Sequence, residues 1–154
     1  MRTLRWSAVL CVGLLSSCVK PAPPAETHDT VAEAERLKEY VLDAAPADIG
    51  AHLDVDFSGK VTLLGARVEP AVGLKPGSRV KATLYWRAQQ KLDAGWKLFT
   101  HIVDASGERV LNIDNVGPLR EMRSGSQALP PSDWLPGKVY VDEQTFTIPA
   151  SVKT

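Results

Sequence analysis

Apolar and polar positions alternate most regularly between Leu74 and Ala88, L-K-P-G-S-R-V-K-A-T-L-Y-W-R-A. Val80, Ala82, Leu84, Trp86 and Ala88 share one parity and Arg79, Lys81, Thr83, Tyr85 and Arg87 the other. That period of two predicts a β-strand with one buried and one wet face, and hence an antiparallel sheet. Pro76-Gly77 ahead of it presets one φ and frees the next, the chemistry of a tight turn. Burying Val80, Leu84 and Trp86 contributes about 1.5–3 kcal/mol each, which places this strand at the centre of the core.

The pattern continues on both sides. Leu53, Val55 and Phe57 alternate with Asp54 and Asp56, and Ser58-Gly59 turns the chain into Lys60 to Val68, where Gly65 interrupts the pattern and implies a bulge. Trp96 to Asp104 predicts a second strand, with Leu98, Thr100 and Ile102 opposite Phe99, His101 and Val103; Val110 to Val116 returns as its hairpin partner after the Asp104 to Glu108 turn. In Lys138 to Pro149, Val139 and Val141 hold one parity and Phe146 and Ile148 the other, which predicts a bulge within Asp142 to Thr145. Gly117 to Pro136 reads as a long loop, and loops of this length carry function or motion. Before the strands, Thr30-Val31-Ala32-Glu33 has the form of a capping box opening a helix over Val31 to Ala44, which Pro46 stops.

These elements predict a mainly β protein, an antiparallel immunoglobulin-like or jelly-roll β-sandwich over residues 49–154, preceded by a helix and linker at 30–48. Only Ala150 to Thr154 follow the last predicted strand, whereas such sandwiches usually have about seven strands. An incomplete C-terminal side with an open edge is therefore part of the expectation; the alternative is a complete small sandwich closed by the helix.

Composition adds an ordinary globular balance, 44% hydrophobic and 23% charged, and a formal net charge of zero. No basic field exists to hold nucleic acid, so nucleic acid is not expected as a partner. Both cysteines, Cys11 and Cys18, precede the globular part, which removes a disulfide framework or thiolate metal site from it.

The N-terminus accounts for both. Arg2 and Arg5 form a positive n-region, Trp6 to Leu15 is too short to span a bilayer, and Leu15-Ser16-Ser17-Cys18 follows. This resembles a bacterial lipoprotein signal, in which an aliphatic residue and two small residues precede a cysteine that is lipidated and becomes the mature N-terminus. The resemblance implies a signal peptide at 1–17, lipid attachment at Cys18, and a weakly acidic mature chain with 16 basic against 18 acidic residues. Val19 stands where an Asp would imply inner-membrane retention, so the resemblance favours the periplasmic face of the outer membrane. Residues 18–29, rich in Pro and Ala, read as an extended tether.

Leu74-Lys75-Pro76-Gly77, Leu84 to Ala88, Leu98 to Asp104, Trp134 to Gly137 and Val141-Asp142 together resemble the small β-sandwich domain found beside membrane-bound glycosyltransferases and in envelope lipoproteins. That resemblance implies a periplasmic sandwich and carries no transferase chemistry, because the polytopic part has no counterpart here.

Candidate chemistry is sparse. Asp104, Glu108, Asp114 and Asp142 are the carboxylates an envelope enzyme acting on glycans would use, but their Gly, Asn and Ser neighbours mark them as turn caps. His101 reads as a packed strand residue and Ser106 lies in no nucleophile elbow, so no catalytic residue is assigned. Asp104, Ser106 and Glu108 with Asp114 fall short of a calcium loop, and neither metal nor cofactor is expected. Trp96, Trp134 and Tyr140, with Tyr85, are candidates for a ligand-binding aromatic platform; the competing reading is that the tryptophans plug the sandwich ends. The sequence thus predicts a lipid-anchored envelope protein acting as a non-catalytic binding or accessory module for a glycan or protein, with a glycan-active enzyme or a structural assembly subunit as alternatives.

Overall fold

The computed structural model describes residues 30–152. The signal segment, Cys18 and the tether lie outside the described residues. The fold is mainly β and antiparallel, with one short helix. One sheet of five strands has the order β1 (Val41–Leu42), β9 (Val139–Thr147), β4 (Arg79–Ala88), β3 (Val61–Glu69), β2 (Ala51–Phe57). The strand expected to be central is so: β4 pairs along its length with β3 and β9. The bulge expected at Gly65 is present as a register shift between Leu63 and Gly65 on β4.

Between β4 and β9 the chain makes a long excursion that forms a second layer. It holds two small hairpins, β5 (His101–Val103) with β6 (Arg109–Asn112) and β7 (Met122–Arg123) with β8 (Ser126–Gln127). Leu92, Leu98, Leu119 and Trp134 of this layer bury themselves against Val61, Ala88 and Tyr140 of the sheet. The stretch 117–136 is therefore a packed cover, not an open loop. Its start shows how closely it lies: a Cβ on Gly117, whose φ is +104°, would come within 1.9 Å of the Glu143 carbonyl oxygen on β9.

Three expectations are corrected. The face of β4 assigned to water is also covered, because Tyr85 packs with Ile49, Leu64 and Val139 beneath the chain around Leu42 and Ala45, and Thr83 is buried beside it. The helix ends early: α1 (Thr30–Leu37) passes into a 3₁₀ turn at Lys38–Tyr40, and Val41–Leu42 is taken as a strand by β9. A short helix gains little alone, so pairing with an available sheet edge prevails. Strand β9 has no bulge; its register on β4 runs unbroken from Thr147↔Arg79 to Val139↔Arg87. The change of hydrophobic parity arises because Asp142 and Gln144, both fully buried, occupy core positions that apolar residues would normally fill.

Candidate binding cleft

Strands β2, β3 and β4 and the second layer meet at a cleft of about 340 Å³. Its aromatic walls are Phe57 of β2, Trp86 of β4, and Trp96, Phe99 and Trp134 of the second layer, with exposed Lys97 beside them. Val61, Leu98 and Pro131 complete it. Phe57 tilts against Trp86 at 5.8 Å between ring centroids, and Lys60 Nζ stands 5.5 Å over the Trp96 ring, a cation–π contact. Phe99 is 71% exposed, far outside the range of a core phenylalanine.

The three candidate platform residues separate. Trp134 is fully buried, stacked on Tyr140 at 4.3 Å and 6°, and its Nε1 donates to the Leu129 carbonyl at 3.2 Å. Tyr140 lies under it, accepting from the Leu135 N–H at 2.7 Å; burial pushes its phenol above the ordinary value. This pair is core, with Trp134 closing the cleft's inner end. Trp96 alone of the three remains half-exposed and lines the opening. Phe57, Trp86 and Phe99 join it; their periodicity marked them only as strand residues.

Trp86 is held from behind by a polar network with no exposure to solvent. Its Nε1 donates to Asp142 Oδ2 at 3.1 Å, and Arg120 grips the same carboxylate through Nε to Oδ1 at 2.9 Å and Nη2 to Oδ2 at 2.6 Å. Gln144 Nε2 donates to Asp142 Oδ2 at 3.2 Å. Asp142 and Arg120 are both 0% exposed. Asp142 is thus a mid-strand core residue, not a turn cap, and nothing in its sequence neighbourhood announces a guanidinium partner on another segment.

Asp104 behaves as the turn reading expects, whereas Asp114 accepts from a backbone N–H 14 residues away and is not a local turn cap. Asp104 Oδ1 accepts from the Ser106 hydroxyl at 2.6 Å and from the Ser106 and Glu108 N–H groups at 2.8 and 3.0 Å. Asp114 Oδ1 accepts from the Thr100 N–H at 2.8 Å and Oδ2 from the Asn112 amide at 2.9 Å, with His101 Nε2 3.6 Å away. Burial pushes Asp114 up, but the Thr100 N–H, the Asn112 amide and nearby His101 outweigh it, and the carboxyl lies below its ordinary range. The Ser106 hydroxyl is engaged with Asp104, not with His101. No group of three His, Cys, Asp or Glu arranged to hold a metal occurs among the described residues.

For Asp104, chiefly the Ser106 hydroxyl and then the backbone N–H groups of Glu108 and Ser106 hold the folded-state pKa below the ordinary carboxyl value. A depressed carboxyl contributes stability above its unfolded pKa and loses it as pH falls through the folded one. Asp104→Asn should therefore melt below wild type near neutral pH, and the two melting curves should converge in acid. A pH-independent gap would show that the charge is not what the turn uses.

Comparison with known proteins gives no family model, no curated relative and no solved structure that matches this chain.

Proposed function

We propose that this protein is a lipid-anchored component of the bacterial cell envelope whose β domain is a non-catalytic binding module, with the aromatic cleft as its site. The observation that carries the proposal is the cleft itself: Trp96, Phe99 and Phe57 present apolar faces to solvent beside a rigid sheet, where a folded chain normally hides them. Two further features support it. Asp104, Asp114 and Asp142 are engaged by Ser106, Thr100 and Arg120 respectively, and the Leu15 to Cys18 motif resembles a lipidation signal. An N-terminal cysteine bearing more than one acyl chain suffices for stable anchoring. The module would then act on the periplasmic face of the outer membrane, at the end of a Pro-rich tether.

Two measurements test the two halves. Metabolic labelling with a palmitate analogue should mark wild type and not Cys18→Ala; equal labelling would remove the anchor. A glycan array and envelope crosslinking, run with wild type and with Trp96→Ala/Phe99→Ala, should show binding that the double substitution weakens by about tenfold or more, since two exposed rings leave the contact. Unchanged binding would place the site elsewhere.

A further inference from the structure

The extended segment 97–103 has two unlike edges. Along one, every backbone group is matched: Leu98 N–H donates to Gln127 Oε1 at 3.1 Å while Gln127 Nε2 donates to the Leu98 carbonyl at 2.9 Å. Thr100 N–H donates to Asp114 Oδ1 at 2.8 Å, and the Thr100 carbonyl accepts from Ile113 at 3.1 Å. Ile102 then pairs with Leu111 of β6. Successive residues of an extended chain turn their N–H and C=O groups to opposite edges. The groups of Lys97, Phe99, His101 and Val103 therefore face the other edge, where, among the described residues, β5 has no neighbouring strand. Among the described residues, Lys97 and Phe99 make no backbone hydrogen bond.

This open edge borders the cleft, because Lys97 and Phe99 line both. Across the cleft stands Phe57, 41% exposed, and Val55, two residues back on β2, is 45% exposed. Backbone donors and acceptors thus lie along one side and apolar side chains along the other. Resting on the reading of the cleft as a binding site, we propose that its occupant is an extended strand of a partner protein. The strand adds to the 97–103 edge and lowers alternate apolar side chains between Phe57, Trp86 and Trp96.

Strand addition matches both features at once: main-chain bonds supply affinity, and every second side chain finds a pocket. A saccharide matches only one, since its hydroxyls need placed polar groups and, among the described residues, Lys97 carries the only charged side chain in the lining. A second copy of this chain matches less well. Leu98 is buried in its own core, so copies joined edge to edge would extend the layer sideways and leave the cleft unfilled. Charge completes the description of the partner: Lys97, exposed on this edge, makes no ion pair among the described residues, so an acidic residue is favoured opposite it.

The test uses the full-length chain in detergent and a synthetic peptide of about eight residues, a strand length, alternating valine and threonine with a glutamate near one end. Controls are the same peptide N-methylated on its edge-facing residues and a hexasaccharide of glucose. The alternating peptide should slow hydrogen exchange of the Phe99 and His101 amides at least about tenfold, leaving Leu98 and Thr100 as they were. The N-methylated peptide should fail. Protection by both peptides alike, by neither, by the hexasaccharide instead, or by raising the protein concentration alone would overturn the inference. If those results came with retained, Trp96-dependent envelope binding, the binding-module reading would stand and only the strand would be lost.

Discussion

Replacing Arg120 by Met should cost about 3–5 kcal/mol of folding stability, and Asp142→Leu a similar amount, because each leaves its former partner charged in the core. Both side chains are 0% exposed and joined by Nε and Nη2 contacts of 2.6 to 3.1 Å. Removing the two together should cost much less than either alone, since an apolar pair of similar volume often substitutes for a buried ion pair at little loss. Two atoms of this network, Arg120 Nη1 and Gln144 Oε1, are buried without a partner among the described residues, which leaves still less for the ion pair to supply. Urea denaturation of the two single variants and the double variant checks this, as a double-mutant cycle. Single losses near zero would mean that Arg120 and Asp142 are not sequestered together. The network also predicts a functional asymmetry: Trp86, held by Asp142 Oδ2, should lose its fixed indole in Asp142→Leu.

Trp134→Ala is the second large effect, about 3–5 kcal/mol, the range for deleting a fully buried large aromatic. The indole is 0% exposed, lies flat on Tyr140 and spends its N–H on Leu129. Its removal would empty the junction between sheet and cover and unseat the 3₁₀ turn Pro131–Asp133, whose Pro131 carbonyl accepts the Trp134 N–H at 3.1 Å. Chemical denaturation measures it. A small loss with strongly weakened ligand binding would instead make Trp134 a surface contact.

How much of this was legible in the sequence depended on whether a residue's partners were local. The β4 strand, the Gly65 bulge and the Asp104 turn depend on neighbours in the chain and appear as read, whereas the wet face that the β4 alternation implied is buried at Thr83 and Tyr85 by distant segments. The β9 pattern was misleading because Asp142 and Gln144 are polar residues in core positions, acceptable there only through Arg120, 22 residues from Asp142, and through Trp86. The strand expected over Trp96 to Asp104 is a laddered strand only at His101–Val103. Before it, the side chains of Gln127 and Asp114 stand in for a neighbouring strand, a role that no local pattern encodes. Of the cleft, Trp96 was readable as an aromatic at a loop-to-strand junction. Phe57, Trp86 and Phe99 were not, since alternation places a side chain on a face without revealing which part of that face the second layer leaves open.

The central claim is that the cleft beside Phe99 is occupied in the envelope. A photo-reactive phenylalanine analogue placed at position 99 in the full-length chain, and irradiated in cells, tests it most directly. The control is the same analogue at Val72, which is 82% exposed and remote from the lining residues of the cleft. The account predicts a discrete adduct from position 99 that is absent from position 72 and is lost when Trp96 is also replaced by Ala. Equal labelling at the two positions, or none at 99 with the chain correctly anchored, would contradict it.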